Sequence, residues 1–244
     1  RYTFFKMMTS QIARKHGAIA THMPKPFTDR TGSAAHIHFH VADATTGENL
    51  FLDKEDPQGL GLSETAYHFI GGILEHAPAL CCVASPTVNC YKRLQVGRAL
   101  TGSRSGFLWT PAFVSYGDNN RTQMIRTAGP GHLEDRTISA GCNPYLALAA
   151  YILAGLDGVK RKLDPGKANL GNMYALGLEE IARRGIRLLP QSLHEALEEL
   201  KKDSVIQDAL GVIYNEFVEV KEQEWREYHR QVTNWELERY LTLF

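Results

Sequence analysis

Hydrophobic and polar positions change period several times along the chain, and each change predicts an element. Tyr2 to His16 follows the helical period and stops at Gly17. No capping residue precedes that pattern, so the expectation is a chain that begins inside a longer protein. Ala18–Met23 reads as a short strand closed by Pro24, Lys25 and Pro26. Ser33 to Val41 alternates strictly and predicts a strand. Thr46 and Gly47 predict a turn, with Asn49 to Leu52 as a short return strand. Ser63 to about Glu75 is helical, and a second short helix is expected near Leu80 to Ala84. Three strand-like pieces, Trp109 to Tyr116, Thr122 to Thr127 and Leu133 to Ser139, follow a Gly, Ser, Thr and Arg-rich stretch, Gly97 to Gly106, that predicts a mobile loop.

Asn143 to Leu163 predicts a long helix, capped by Asn143, started by Pro144 and ended by Asp164, Pro165 and Gly166. The last third is mostly helical. Ser192 to Glu195 and Thr233 to Glu236 have capping-box form, and an amphipathic helix is expected near Val212 to Val232. Strands mixed with segregated helices suggest an α+β layer architecture, not a regular βαβ alternation.

Composition narrows the class. The chain has 244 residues with 27 basic and 27 acidic side chains, so bulk charge argues against a nucleic-acid or membrane-surface role. No apolar run is long enough to predict a membrane span, and no signal peptide opens the chain. Cys81, Cys82, Cys90 and Cys142 have neither metal-knuckle nor redox spacing and read as small core residues in a reducing compartment, with the cytoplasm as the expected location.

The densest chemistry lies between Pro86 and Arg136. Arg93, Arg121, Arg126 and Arg136 stand among apolar and small residues, with Asp118, Glu134 and Asp135 as the acids nearby. Removing one partner of a buried ion pair costs about 3–5 kcal/mol, so surplus guanidinium groups predict a ligand carrying phosphate or carboxylate. A structural salt-bridge network is the other reading. Arg121 and Arg126 are five apart, which on one strand would turn them to opposite faces unless a bulge or bend intervenes. Glu134 and Arg136 would share a face, and so would His36, His38 and His40. Neutral imidazole suits metal ligation and imidazolium suits phosphate, while a wetted polar sheet face is the bland alternative. Glu134 suits Mg²⁺ or Mn²⁺, or a simple cross-strand ion pair. His68 and His76 read as satisfied core or surface histidines, and Trp225 and Trp235 as core or subunit-contact residues.

Several segments together resemble the catalytic domain of glutamine synthetase. They are Met23 to Pro26, Gly32 to His38, Leu62 to Thr65 with Gly71 to Leu74, Pro86 to Arg93, Asn120 to Arg126, Leu133 to Arg136, and Asn143 to Leu146 through Ala154 to Gly158. They recur in the family's order over about two-thirds of the chain. Gly129-Pro130-Gly131 and the terminal Trp235 to Tyr240 look closer to the type III, or γ-glutamylamide-forming, branch.

The resemblance implies an antiparallel β-sheet with helices packed around it and a helical subregion at 190–244. It implies that residues 1–244 are the C-terminal portion of the catalytic domain, without the family's N-terminal β-grasp domain, first catalytic strands and further metal-binding glutamates. The implied activity is ATP-dependent ligation of the glutamate γ-carboxylate to ammonia or a small amine through a γ-glutamyl phosphate, in nitrogen metabolism and glutamine biosynthesis. By the same likeness, His36 and Glu134 would hold Mg²⁺ or Mn²⁺, and His38, Arg121 and Arg126 would contact ATP. Gly32, Arg93, Arg121 and Arg136 would bind glutamate, with Arg121 and Arg136 catalytic. A homo-oligomeric ring is implied, with no nucleic acid or membrane partner. The other reading is a catalytically silent relative that binds nucleotide or amino acid as a regulatory or structural subunit.

Departures from the family pattern carry their own expectations. The loop after Arg93 reads Val96-Gly97-Arg98-Ala99, with Ala99 where the family has the glutamate that helps deprotonate ammonium, so a larger amine becomes an expected acceptor. His132 stands where many members have a nucleotide-contacting arginine. Thr31 and Ala34 replace an asparagine and a glycine.

Overall fold

The computed structural model describes residues 1–95 and 110–243. The loop Gly97–Gly106 and Ala99 therefore lie outside the described residues. Helix α1 (Tyr2–Lys15) ends at Gly17, whose φ of 67° suits glycine. Ala18 to Met23 forms no strand, and Ile19 is almost fully exposed. Apolar content there finds no pairing partner, and a strand needs one.

The sheet joins β1 (Ile37–Phe39), β2 (Tyr116–Gly117), β3 (Ile125–Gly129) and β4 (His132–Asp135) in the order β1-β4-β3-β2. β1 and β3 run antiparallel to β4, while the two-residue β2 runs parallel to β3. The strands are shorter than their alternating patterns predict, because register and bulges decide where pairing stops. The β3–β4 hairpin turns at Gly131, φ 63°, with a register shift between Thr127 and Gly129. Asn49 to Leu52 contributes isolated bridges to Ala42 and Leu62, not a strand.

One helix, α2 (Glu64–Ala84), spans the two that the pattern separates. Ser63 caps it, accepting from the Ala66 amide. Pro78 removes a backbone donor, yet Ala77, Ala79, Leu80, Cys81 and Cys82 are buried around it, and that packing carries the helix through. α2 crosses α4 (Pro144–Arg161) at small residues. A Cβ on Gly72 would collide with the Ala154 carbonyl and Gly158, and one on Gly155 would collide with the Phe69 ring. All four cysteines are free and buried, and burial first of all pushes the Cys142 thiol up to about 11.

Between α2 and β2 lies the short α3 (Val88–Tyr91), and α5 (Leu178–Arg183) follows α4. Past residue 190 come α6 (Leu193–Leu200), α7 (Ser204–Leu210), α8 (Tyr214–His229) and α9 (Asn234–Tyr240). Leu193, Leu197, Leu200, Ile206 and Leu210 join the cluster that contains α2, α4 and the sheet. The Thr233–Glu236 capping box is complete. Trp225 stacks between His194 and His229, while Trp235 is exposed. Among the described residues no helix is long and apolar enough to cross a membrane.

His76 on α2 ties three helices together. Its Nδ1 lies 2.7 Å from Asp203 Oδ2, in the cap of α7, and its Nε2 3.0 Å from Asp157 Oδ2 on α4. Burial pulls its pKa down, but the hydrogen bonds to Asp203 and Asp157 outweigh it and the net shift is upward. A histidine raised on folding stabilises fully below its unfolded value, about 6.5, and loses that contribution as pH rises through the folded value. The stability gap between the natural protein and His76→Gln should therefore be larger at about pH 6 than at about pH 8.5. Urea midpoints at both pH values check this, and an equal gap contradicts it.

Candidate active site

β4 has two faces. Leu133 and Asp135 point into the core, opposite Phe39 and Ile37 of β1, while Glu134 lies in register between His38 of β1 and Arg126 of β3. The alternation that buries Phe39 and Leu133 therefore places the ionic side chains together on the other face.

Glu134 is the hub of that face, only 2% exposed. His36 Nδ1 lies 2.8 Å from its Oε1, and His38 Nε2 3.8 Å from the same oxygen. Arg136 Nη1 donates to Oε1 at 3.2 Å. Arg126 Nε lies 2.5 Å from Oε2, a close charge contact that is not aligned as a hydrogen bond. Burial favours the protonated acid, but Arg136, His36, Arg126 and His38 outweigh it and hold Glu134 below its ordinary value. His36 is pushed down to about 4, first by burial and then by Arg136, against the pull of Glu134. At neutral pH the pair is thus a neutral imidazole beside a carboxylate, the donor forms that divalent ions take.

These two donors fit part of a metal site. Among the described residues no group of three His, Cys, Asp or Glu is placed to hold an ion. Mg²⁺ and Mn²⁺ keep several waters and accept phosphate oxygens, so two protein donors are a minority of the six such an ion needs.

Arg93 follows α3 and is nearly buried. Its Nη2 donates to the carbonyls of Thr137 at 2.7 Å and Ile138 at 3.0 Å. Burial lowers its pKa and Arg136 lowers it further, while Cys90 and Asp135 pull it up. Gly32 packs on its aliphatic stem. A Cβ there would collide with the Pro24 carbonyl and press within 3.3 Å of Arg93 Cγ, so this position needs glycine. Asn89 fixes the Pro24–Pro26 segment by accepting from the Lys25 amide at 2.8 Å and donating to the Lys25 carbonyl at 3.0 Å. Nothing in the sequence pattern singled out Asn89.

Arg121 resolves the five-residue spacing. It sits in a turn before β3, not on the strand, so strand alternation does not apply to it. Asn120 builds the turn, accepting from the Thr122 amide at 2.9 Å and donating to the Gly171 carbonyl at 2.7 Å. Arg121 is exposed and near enough to Arg136 for like-charge repulsion to be felt there, after burial and Arg126. Among the described residues neither Arg93 nor Arg121 forms an ion pair with a side chain. The salt-bridge reading thus accounts for Arg126 and Arg136 and leaves two cations.

His132 and His40 extend the ionic face. His132 Nε2 lies 2.8 Å from His38 Nδ1, and its ring packs 4.3 Å from that of His40. Burial, then His40 and His38, lowers the His132 pKa.

The family profile for the glutamine synthetase catalytic domain matches residues 1–240. The chain belongs to the glutamine synthetase family. It is 50% identical to a glutamate–methylamine ligase from Methyloversatilis universalis, over 100% of this chain and 53% of that protein. It is 42% identical to a glutamine synthetase from Thermococcus kodakarensis, over 97% of this chain and 53% of that one. A solved GmaS–ADP complex superposes with a TM-score of 0.87 at 40% identity, covering 99% of this chain and 53% of that structure. The chain spans about half the length of the curated relatives it matches. Within it, the segments Gly32 to His38, Pro86 to Arg93, Asn120 to Arg126 and Leu133 to Arg136 meet at one small sheet and the turns beside it.

Proposed function

We propose that the protein is an ATP-dependent ligase that joins the γ-carboxylate of glutamate to a small amine. The observation that carries this is the Glu134 hub, with His36, His38, Arg126 and Arg136 around it and two cations beside it, Arg93 and Arg121, that have no ionic partner among the described residues. Such an arrangement suits phosphoryl transfer, which depends on positioning and on neutralising charge. Identity to ligases over essentially the whole chain supports the enzyme over a silent relative.

On this reading a γ-carboxylate oxygen of glutamate attacks the terminal phosphorus of ATP, and ADP leaves. The amine nitrogen then attacks the acyl carbon, phosphate leaves, and the nitrogen gives up a proton. Arg93, over Gly32, holds the α-carboxylate. Arg121 and Arg136 stabilise charge on the transferring phosphoryl group and the γ-carboxylate. Arg126 and His38 contact the nucleotide phosphates. His36 and Glu134 would hold Mg²⁺ or Mn²⁺, which when bound neutralises phosphate charge. Residues 1–244 act as a portion of the catalytic domain with 190–244 as its helical subregion, in a cytoplasmic homo-oligomeric ring.

The acceptor is the finer question. Higher identity to a methylamine ligase than to a glutamine synthetase supports methylamine, in line with Ala99. Glutamate-dependent ADP release by the natural full-length protein tests the ligase reading. With that established, kcat/KM for methylamine should equal or exceed that for ammonia, and a strong preference for ammonia overturns the acceptor assignment.

A further inference from the structure

Asp135 is the side chain that the proposed chemistry leaves unused. It is fully buried, on the core side of β4, between Glu134 and Arg136 in sequence. Its Oδ1 accepts from the Thr137 amide and from the Tyr151 hydroxyl on α4, both at 2.8 Å. The first bond closes an Asx turn at the end of the strand. The second pins that turn to a helix. The carbonyls this turn presents, Thr137 and Ile138, are the two that receive Arg93 Nη2. Ser85 adds a third anchor, its hydroxyl donating to the Thr137 carbonyl at 3.0 Å.

A turn alone does not explain the charge. Asparagine offers the same acceptor oxygen, without a buried carboxylate whose Oδ2 has no hydrogen-bond partner. Arg93 is the buried cation beside this turn: it bonds to neutral carbonyls and feels the like charge of Arg136, while Asp135, which among the described residues forms no ion pair with it and whose carboxyl is raised by burial to about 6, acts on it with the opposite sign.

We propose that Asp135, anchored by Tyr151, is a positioning residue for Arg93: it shapes the carbonyl pair that aims the guanidinium and offsets its buried charge. Its predicted effect on substrate rests on the ligase reading; its effect on the geometry of Arg93 does not.

The test compares Asp135→Ala, Asp135→Asn and Tyr151→Phe in the full-length protein. Asp135→Ala removes both turn and charge and should raise KM for glutamate about tenfold or more, leaving KM for ATP within about twofold. Asp135→Asn keeps the acceptor and should fall between. Tyr151→Phe should shift KM for glutamate in the same direction by less. In crystals of the alanine variant, Arg93 Nη2 should have left at least one of its two carbonyls. A purely structural role predicts instead a lower melting temperature with both KM values unchanged or rising together, and that result overturns the proposal. If the natural protein shows no glutamate-dependent ADP release, the ligase reading fails, and the position of Arg93 in the variant crystals decides the inference alone. Arg93 still on both carbonyls overturns it. Should the alanine variant not fold, the asparagine and phenylalanine variants carry the same two readouts.

Discussion

Glu134→Ala is expected to reduce glutamate-dependent ADP release at least a thousandfold and to destabilise the fold by about 3 kcal/mol. Both effects come from one position. The carboxylate is almost inaccessible and touches Arg126, Arg136, His36 and His38. Without it, two guanidinium groups face each other on the sheet with their carboxylate gone, and His36 loses its companion donor. Glu134→Gln separates the effects. The amide keeps volume and one acceptor oxygen, so stability should recover in part, while the charge that neutralises Arg126 and Arg136 stays absent and turnover stays low. Denaturant midpoints and ADP release, measured on both variants, check the pair. Turnover of Glu134→Ala within tenfold of the natural protein would remove Glu134 from the chemistry.

Arg121→Ala should behave in the opposite way. Its guanidinium is exposed, and among the described residues it forms no ion pair, so the fold should barely notice its loss. Its turn is held by Asn120, not by Arg121 itself. A cation that acts only on charge developing in the reaction should matter for kcat. Loss of one such group costs about 100- to 1000-fold. The expected result is a melting temperature within about 2 °C of the natural protein with kcat reduced by that factor. Normal turnover contradicts the role given to Arg121. Equal loss of stability and turnover would instead make it a structural residue.

The contrast between these two arginine environments bears on what could be read in advance. Pairs two apart were legible. Period-2 alternation puts Glu134 with Arg136, and His36 with His38, whatever the neighbouring strands do. Helix boundaries set by capping chemistry were legible too, at Asn143, Ser192 and Thr233, because a side-chain oxygen and an orphan amide meet within four residues. The resemblance to glutamine synthetase rested on motifs of this local kind.

What depended on long-range packing was not legible. That α2 runs unbroken past Pro78 follows from the burial of Ala77, Ala79, Leu80, Cys81 and Cys82 around it, which outweighs one missing donor. Three groups placed by contacts far apart in sequence came only from the folded chain. They are His76 between Asp203 and Asp157, Asn89 against Lys25, and Asp135 bonded to Tyr151.

By itself the sequence determined the family, the capped starts of the helices at Asn143, Ser192 and Thr233, and which charged residues share a strand face, since each of these is written in spacings of two to four residues or in contiguous motifs. Only the tertiary structure decided that β1, β4 and β3 align His38, Glu134 and Arg126 in one row. It also decided that a turn frees Arg121 from strand alternation, and that Arg93, among the described residues, is held by two carbonyls and by no carboxylate. Register and cross-chain hydrogen bonds arise when the core-facing residues of separate strands pack together, and no local pattern encodes which residues will then stand opposite one another.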